Sequence, residues 1–233
     1  ILPYFHEKKI FFLEDIKTTE IELWQNKMLK EKSTSTVKKC KDTLSLIMNK
    51  AVADDIISKN YVSLSDSITV VTTKRVPYTT GEVTTLLKES DGWFKVFLYL
   101  VFSTGLRTGE AIGLMWDDID FENGFILLRG EAAKKGKTER IPLSHAARIV
   151  LQSVRRVDSL YVFPGRNGEQ RKEYRKIAER VKRRAGLPDD FRPLHGLRHA
   201  YASFLASSGK VDLYTLQKLL THSSPQMTQR YAH

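Results

Sequence analysis

The sequence predicts a mainly helical chain with a small antiparallel β-sheet, an α+β fold in two parts. Three observations predict it. Residues 1–65 place apolar side chains at helical spacing and show no strand alternation. Ser63–Thr79 then becomes rich in Ser, Thr and β-branched residues, with Lys74-Arg75 and Pro77, as a linker does. Beyond it, Gly124–Gly130 (GFILLRG) and Thr138–Leu143 (TERIPL) are the best strand candidates among several helical stretches. The expected division is a helical domain over 1–65, a linker over 66–77 and a second domain over 78–233.

In chain order, Thr18–Lys32 carries Ile21, Trp24 and Met28 at helical spacing. Ser33–Thr36 is a capping cluster, and Val37, Cys40, Leu44, Ile47, Met48 and Ala51 follow with helical period. Lys38, Lys39, Lys41 and Lys50 decorate the rest of that helix. A solvated face is the ordinary reading of such lysines, but the charge of the whole chain favours contacts to phosphate. Thr79-x-x-Glu82 is a capping box that starts a helix with Val83, Leu86 and Leu87 on one face. Trp93–Ser103 is a strongly apolar helix, expected at the centre of the second core. Thr104-Gly105 is a turn, followed by Arg107 and a further helix over Ala111–Leu114. The two strands enclose Ala133-Lys134-Lys135-Gly136-Lys137, a hairpin with a cationic tip. A helix is expected over His145–Val157, an extended piece over Leu160–Pro164 and a turn at Gly165–Gly168. Arg171–Ala185 carries an apolar stripe of Tyr174, Ile177, Ala178, Val181 and Ala185, with Lys172, Lys176, Arg180 and Arg183 opposite.

Bulk properties narrow the function. Lys and Arg number 38 against 27 Asp and Glu, a net charge of +11, which points to a polyanion such as nucleic acid. The longest apolar run, Val96–Phe102, is far too short to span a bilayer, so no membrane partner is expected. The lone Cys40 excludes internal disulfides and fits a reducing compartment. No Gly-rich loop ends in Lys-Ser/Thr, so no nucleotide cofactor is implied. His195 and His199 stand four apart, as zinc ligands can, but Gly196 replaces the glutamate of a zinc-protease helix and no acidic or Cys cluster accompanies them. No metal is expected.

The chemistry concentrates in Leu194–His233. On a helix over Leu194–Ser207, Leu197, Ala200, Tyr201, Phe204 and Leu205 share a core face, while His195 and Arg198 fall away from it. His222 follows at another helix end, and Tyr231 comes nine positions later. These groups, with Arg107 and the lysine cluster, are candidates to converge on a phosphate. Phosphoryl transfer needs cations to offset charge on the non-bridging oxygens, a nucleophile, and an acid for the leaving oxygen. Arginine suits the first task, being always charged and bidentate.

Thr104–Asp120 (TGLRTGE, then AIGL-x-WDDID), the lysine hairpin, His195–His199 (HGLRH) and Leu220–Tyr231 (LTHSS…TQRY) resemble the tyrosine recombinase, or phage integrase, family in order, spacing and residue type. The resemblance runs from Pro77 onward, and residues 1–65 look like the family's core-binding domain. It implies a metal- and ATP-free, site-specific DNA recombinase of the prokaryotic cytoplasm, acting through a 3′-phosphotyrosine. Arg107 and Arg198 would clamp the phosphate, Tyr231 would attack it and Lys134 would protonate the 5′-oxygen. His195 would assist proton transfer from Tyr231, His222 would hydrogen-bond a phosphoryl oxygen and Glu110 would support the arginines. Lys38, Lys39, Lys41, Lys172, Lys176 and Arg183 are expected DNA contacts. Double-stranded DNA would be the partner, with a tetramer in synapsis and a monomer otherwise. A topoisomerase of type IB character and a non-catalytic DNA-binding regulator are the rival readings.

Three departures stand out. Thr221 occupies the place where the family usually has Gly. Counting back from Pro142 selects Lys134, whereas counting from Arg140 selects Lys135. The chain stops two residues after Tyr231 and its N-terminal helical region is short, so a truncated or partly ordered chain is expected.

Overall fold

A computed structural model of the chain describes residues 1–70, 78–129, 138–154 and 158–231. The fold is mainly helical, with one three-stranded antiparallel sheet among the described residues. The chain divides into two compact units, Ile1–Arg75 and Val76–His233.

The first unit is built from α1 (Leu2–Glu7), α2 (Thr18–Glu31) and α3 (Thr34–Ala53). Ser33 starts α3, its hydroxyl accepting the Thr36 N–H at 3.3 Å, as the capping cluster predicts. Val37, Leu44, Met48 and Ala51 of α3 then close over Ile21 and Trp24 of α2, and Cys40 sits half-buried beside them. One lysine of the predicted cationic face is corrected here. Lys41 is buried, and its ammonium donates to Gln25 Oε1 at 3.2 Å and to the carbonyls of Ser65 and Asp66. It ties the coil after α3 to the helices and is not offered to DNA. Lys38 and Lys39 remain exposed, Lys38 3.5 Å from Asp42.

In the second unit α4 (Thr80–Lys88) begins with the expected capping box. Thr79 Oγ1 accepts the Glu82 N–H, and Glu82 accepts the Thr79 N–H. α5 (Gly92–Thr104) is the central helix, with Phe94, Phe97, Leu98, Leu100 and Val101 buried. Burial of a side chain such as Phe97 stabilises by about 1.5–3 kcal/mol. α6 (Thr108–Ile112) follows. A short β1 (Ile119–Asp120), which the sequence pattern did not suggest, pairs with β2 (Phe125–Leu128), and β2 pairs with β3 (Glu139–Pro142). In this register Ile126 faces Ile141, which buries both. The lysine hairpin tip falls at residues 130–137, outside the described residues, so Lys134 and Lys135 are not placed.

α7 (His145–Gln152) is capped by Ser144 and is shorter than expected, with Ser153 closing its last turn. α8 (Tyr174–Arg184) starts three residues later than the pattern suggested. Arg171 is held back in the preceding loop, its guanidinium 4.1 Å over the Trp93 ring and donating to the Pro164 carbonyl. α9 (Pro193–Ser207) then packs against both α5 and α8. Its glycine is a packing requirement, since a Cβ on Gly196 would lie 1.5 Å from Cε2 of Tyr78. α10 (Leu213–Leu219) and α11 (Pro225–Gln229) fold over the other side of α9, around Ala202, Leu216, Leu220 and Tyr231.

Candidate active site

The site forms where the turns that follow α5 and α10 meet helix α9. The first contributor follows α5. Gly105 is left-handed at φ 68°, and a Cβ there would lie 2.4 Å from the Tyr201 ring, so both conformation and space demand glycine. The turn brings Arg107 to the start of α6. There the buried Glu110 carboxylate accepts the Arg107 backbone N–H at 2.8 Å and Nη1 at 2.6 Å. Glu110 thus holds Arg107 at both its backbone and its guanidinium.

The second contributor is α9. Arg198 was expected to turn away from the core, but it is 7% exposed. The reason is that α9 is covered on both sides, so the face opposite α5 is also interior. Arg198 Nη1 donates to the Gly105 carbonyl at 2.6 Å and Nη2 to the Leu220 carbonyl. The third contributor follows α10. Thr221 adopts φ 48°, the left-handed region, and its Oγ1 accepts from Arg107 Nη1 at 3.0 Å. Each guanidinium is therefore held by partners on separate turns.

Charge follows from this geometry. Burial, and then the neighbouring Arg107, bring the Arg198 pKa down to about 10, so Arg198 stays cationic at neutral pH. Two held guanidiniums beside one buried carboxylate leave a net positive site, which an anion would relieve. His222 behaves differently. Burial first, then Arg198 and Arg107, depress its pKa to about 4, so it is a neutral imidazole at neutral pH. Its Nδ1 is 2.8 Å from Thr228 Oγ1, which leaves Nε2 as the ring atom available to a ligand.

Tyr231 is 6% exposed, packed on Leu216 and Leu220, with its ring nearly parallel to that of His222 at 10°. Burial raises its pKa against the opposing pull of Arg230 and Arg198, so the phenol is protonated at neutral pH. Its hydroxyl meets Nδ1 of His199, whose Nε2 lies 3.1 Å from Nε2 of His195. His195, expected to assist proton transfer from Tyr231, contacts His199, which in turn meets the Tyr231 hydroxyl.

The structure thus gathers Arg107, Glu110, Arg198, His222 and Tyr231, with His195 one imidazole away. Thr221, Thr228 and His199 were not anticipated as partners. The available signals were the Thr in a glycine place and the four-residue spacing of His195 and His199, which the sequence reading weighed only for a metal. Lys172, Lys176 and Arg183 line an open groove of about 900 Å³ along α8, joined by Arg166, Arg171 and Arg180.

Residues 78–233 match the profile of the phage integrase family. Tyrosine recombinase XerC of Thermodesulfovibrio yellowstonii is 34% identical over 154 residues, covering 60% of this chain and 49% of the relative. XerD of Neisseria meningitidis is 32% identical over 150 residues, 60% of this chain and 50% of the relative. The chain spans about half the length of the curated relatives it matches. Among solved structures, a lambda integrase dimer bound to a COC′ core site aligns with a TM-score of 0.81 at 21% identity, over 100% of this chain and 87% of that one. The Tn1549 transposon integrase in complex with a circular intermediate DNA aligns at 0.79 and 25% identity, over 95% and 82%. The chain belongs to the phage integrase family.

Proposed function

We propose that the chain is the catalytic portion of a site-specific DNA recombinase that cuts and rejoins strands through Tyr231, with residues 1–65 serving to hold DNA. The observation that carries this reading is the convergence of Arg107, Arg198, neutral His222 and buried Tyr231 on one positive site. A phosphodiester fits the demand of such a site. The guanidiniums would take its non-bridging oxygens and stabilise the charge that grows there in the transition state. His222 Nε2 would donate a further hydrogen bond. The Tyr231 oxygen would attack phosphorus, and the 5′-oxygen would leave with a proton from Lys134, the residue the family resemblance selects. The phosphotyrosine bond conserves the energy of the broken one, so rejoining calls for no ATP. The guanidiniums supply the positive charge that a metal would otherwise bring. The α8 groove, the net charge of +11 and the DNA bound to the structural relatives support double-stranded DNA as substrate. A tetramer on a Holliday junction, described for lambda integrase, is the assembly this reading expects in synapsis, with a monomer in the absence of DNA.

The test uses a pool of nicked duplexes of randomised sequence, from which a covalent protein–DNA adduct is recovered. Arg198→Lys keeps one charge but loses the fork, and is expected to bind DNA with little change while adduct formation drops about 10²–10³-fold. Adduct formation by Arg198→Lys at the rate of the parent would overturn the arginine clamp. On supercoiled plasmids carrying the recovered sequence, recombinant junctions among the products support a recombinase, and relaxation alone supports the topoisomerase.

A further inference from the structure

His199 stands between two groups that the proposed reaction uses. Its Nδ1 meets the Tyr231 hydroxyl, and its Nε2 is 3.1 Å from His195 Nε2. Helix α9 sets this up, because residues four apart share a face and bring the two rings together edge-on at 86°. Two placements of the hydrogens satisfy both contacts, since a phenol both donates and accepts. In the one that readies Tyr231 to lose its proton, the phenol donates, and His199 Nδ1 accepts and carries no hydrogen. A neutral imidazole with a bare Nδ1 has its hydrogen on Nε2, which donates to His195 Nε2. His195 therefore carries its own hydrogen on Nδ1, and its ring is exposed. The three groups form a line of donors pointing from a buried nucleophile to the surface.

We propose that His199 is a catalytic residue, a relay that takes the phenolic proton of Tyr231 at Nδ1 while passing its own Nε2 proton to His195. The inference rests on the reading of Tyr231 as nucleophile. In the cleavage step the Tyr231 O–H bond breaks as an N–H bond forms at His199 Nδ1. The His199 Nε2–H bond breaks as an N–H bond forms at His195 Nε2, and His195 releases its Nδ1 proton to solvent. The phenolic oxygen bonds to phosphorus, the bond from phosphorus to the 5′-oxygen breaks, and that oxygen is protonated by the acid of the lysine loop. One proton leaves the nucleophile and one reaches the leaving group. The relay ends in the reverse orientation, with hydrogen on His195 Nε2 and His199 Nδ1. That orientation serves rejoining, because His199 then faces the departing phenolic oxygen with a donor.

Two measurements test the relay. On the nicked duplex pool, His199→Ala is expected to slow adduct formation by about 10²-fold or more. Substituted imidazoles added to that variant are expected to restore the rate, more strongly as their basicity rises. An unchanged rate, or rescue that follows the size of the additive and not its basicity, would overturn the relay. A parent protein that forms no adduct at Tyr231 removes the nucleophile reading, and the relay falls with it. The second measurement needs neither DNA nor a variant. Nitrogen-15 NMR of histidine-labelled protein is expected to show His199 with a bare, hydrogen-bonded Nδ1 and a protonated Nε2. The opposite tautomer contradicts the relay even if adducts form at Tyr231, and it decides the matter should His199→Ala fail to fold.

Discussion

Thr221 shows how a single residue can trade backbone strain for a side-chain contact. A β-branched residue at φ 48° costs about 1–3 kcal/mol relative to a relaxed conformation. Its hydroxyl offsets this by accepting from Arg107 Nη1, a charge-assisted bond worth about 1.5–3 kcal/mol when shielded from water. The two terms can be separated by substitution. Thr221→Ala keeps the strain and loses the bond, whereas Thr221→Gly loses both. Thermal denaturation is expected to place Thr221→Ala below Thr221→Gly by about 1 kcal/mol, and adduct formation should slow in both as Arg107 loosens. Equal stability of the two variants would contradict a left-handed backbone at this position.

Helix α9 shows what the sequence could and could not reveal at the scale of an element. Its apolar repeat predicted the helix and the burial of Leu197 and Ala200. Capping boxes and glycine turns predicted α4 and the end of α5 for equally local reasons. Burial of Arg198 was not legible, because it depends on α10 and α11 returning over the far side of α9. The contact of His199 with Tyr231 joins residues 32 positions apart and has no local signature either. Lys41 was misread for the same reason, since the carbonyls that hold it belong to a coil without periodicity. Strand β1 escaped notice because two residues carry no alternation to read.

The start of α9 gives a test at this scale. Alanine is normally favoured over glycine inside a helix by about 1 kcal/mol. At position 196 the added Cβ would enter the Tyr78 ring, which stacks on Phe191 with centroids 4.0 Å apart and whose hydroxyl accepts the Arg192 N–H at 2.6 Å. Gly196→Ala is therefore expected to lose about 1–3 kcal/mol in denaturant unfolding, and Tyr78→Ala in the same chain should recover part of that loss. A stabilised Gly196→Ala protein would contradict the packing described for α9.

Across the whole molecule, the fold gathers groups that the chain keeps far apart. Arg107 and Thr221 are separated by 114 positions, and Arg198 bonds to carbonyls 93 and 22 positions away. Most of the candidate site was nonetheless legible, because motif order and spacing named Arg107, Glu110, Arg198, His222 and Tyr231. What the motifs could not convey was how these groups are held and which imidazole touches the Tyr231 hydroxyl. The central claim is that Tyr231 becomes covalently bonded to DNA. Proteolysis and mass spectrometry of the adduct recovered from nicked duplexes test it most directly. A nucleotide joined through its 3′-phosphate to Tyr231 is the expected result, whereas attachment at Tyr201, at Tyr214 or at a serine would contradict it.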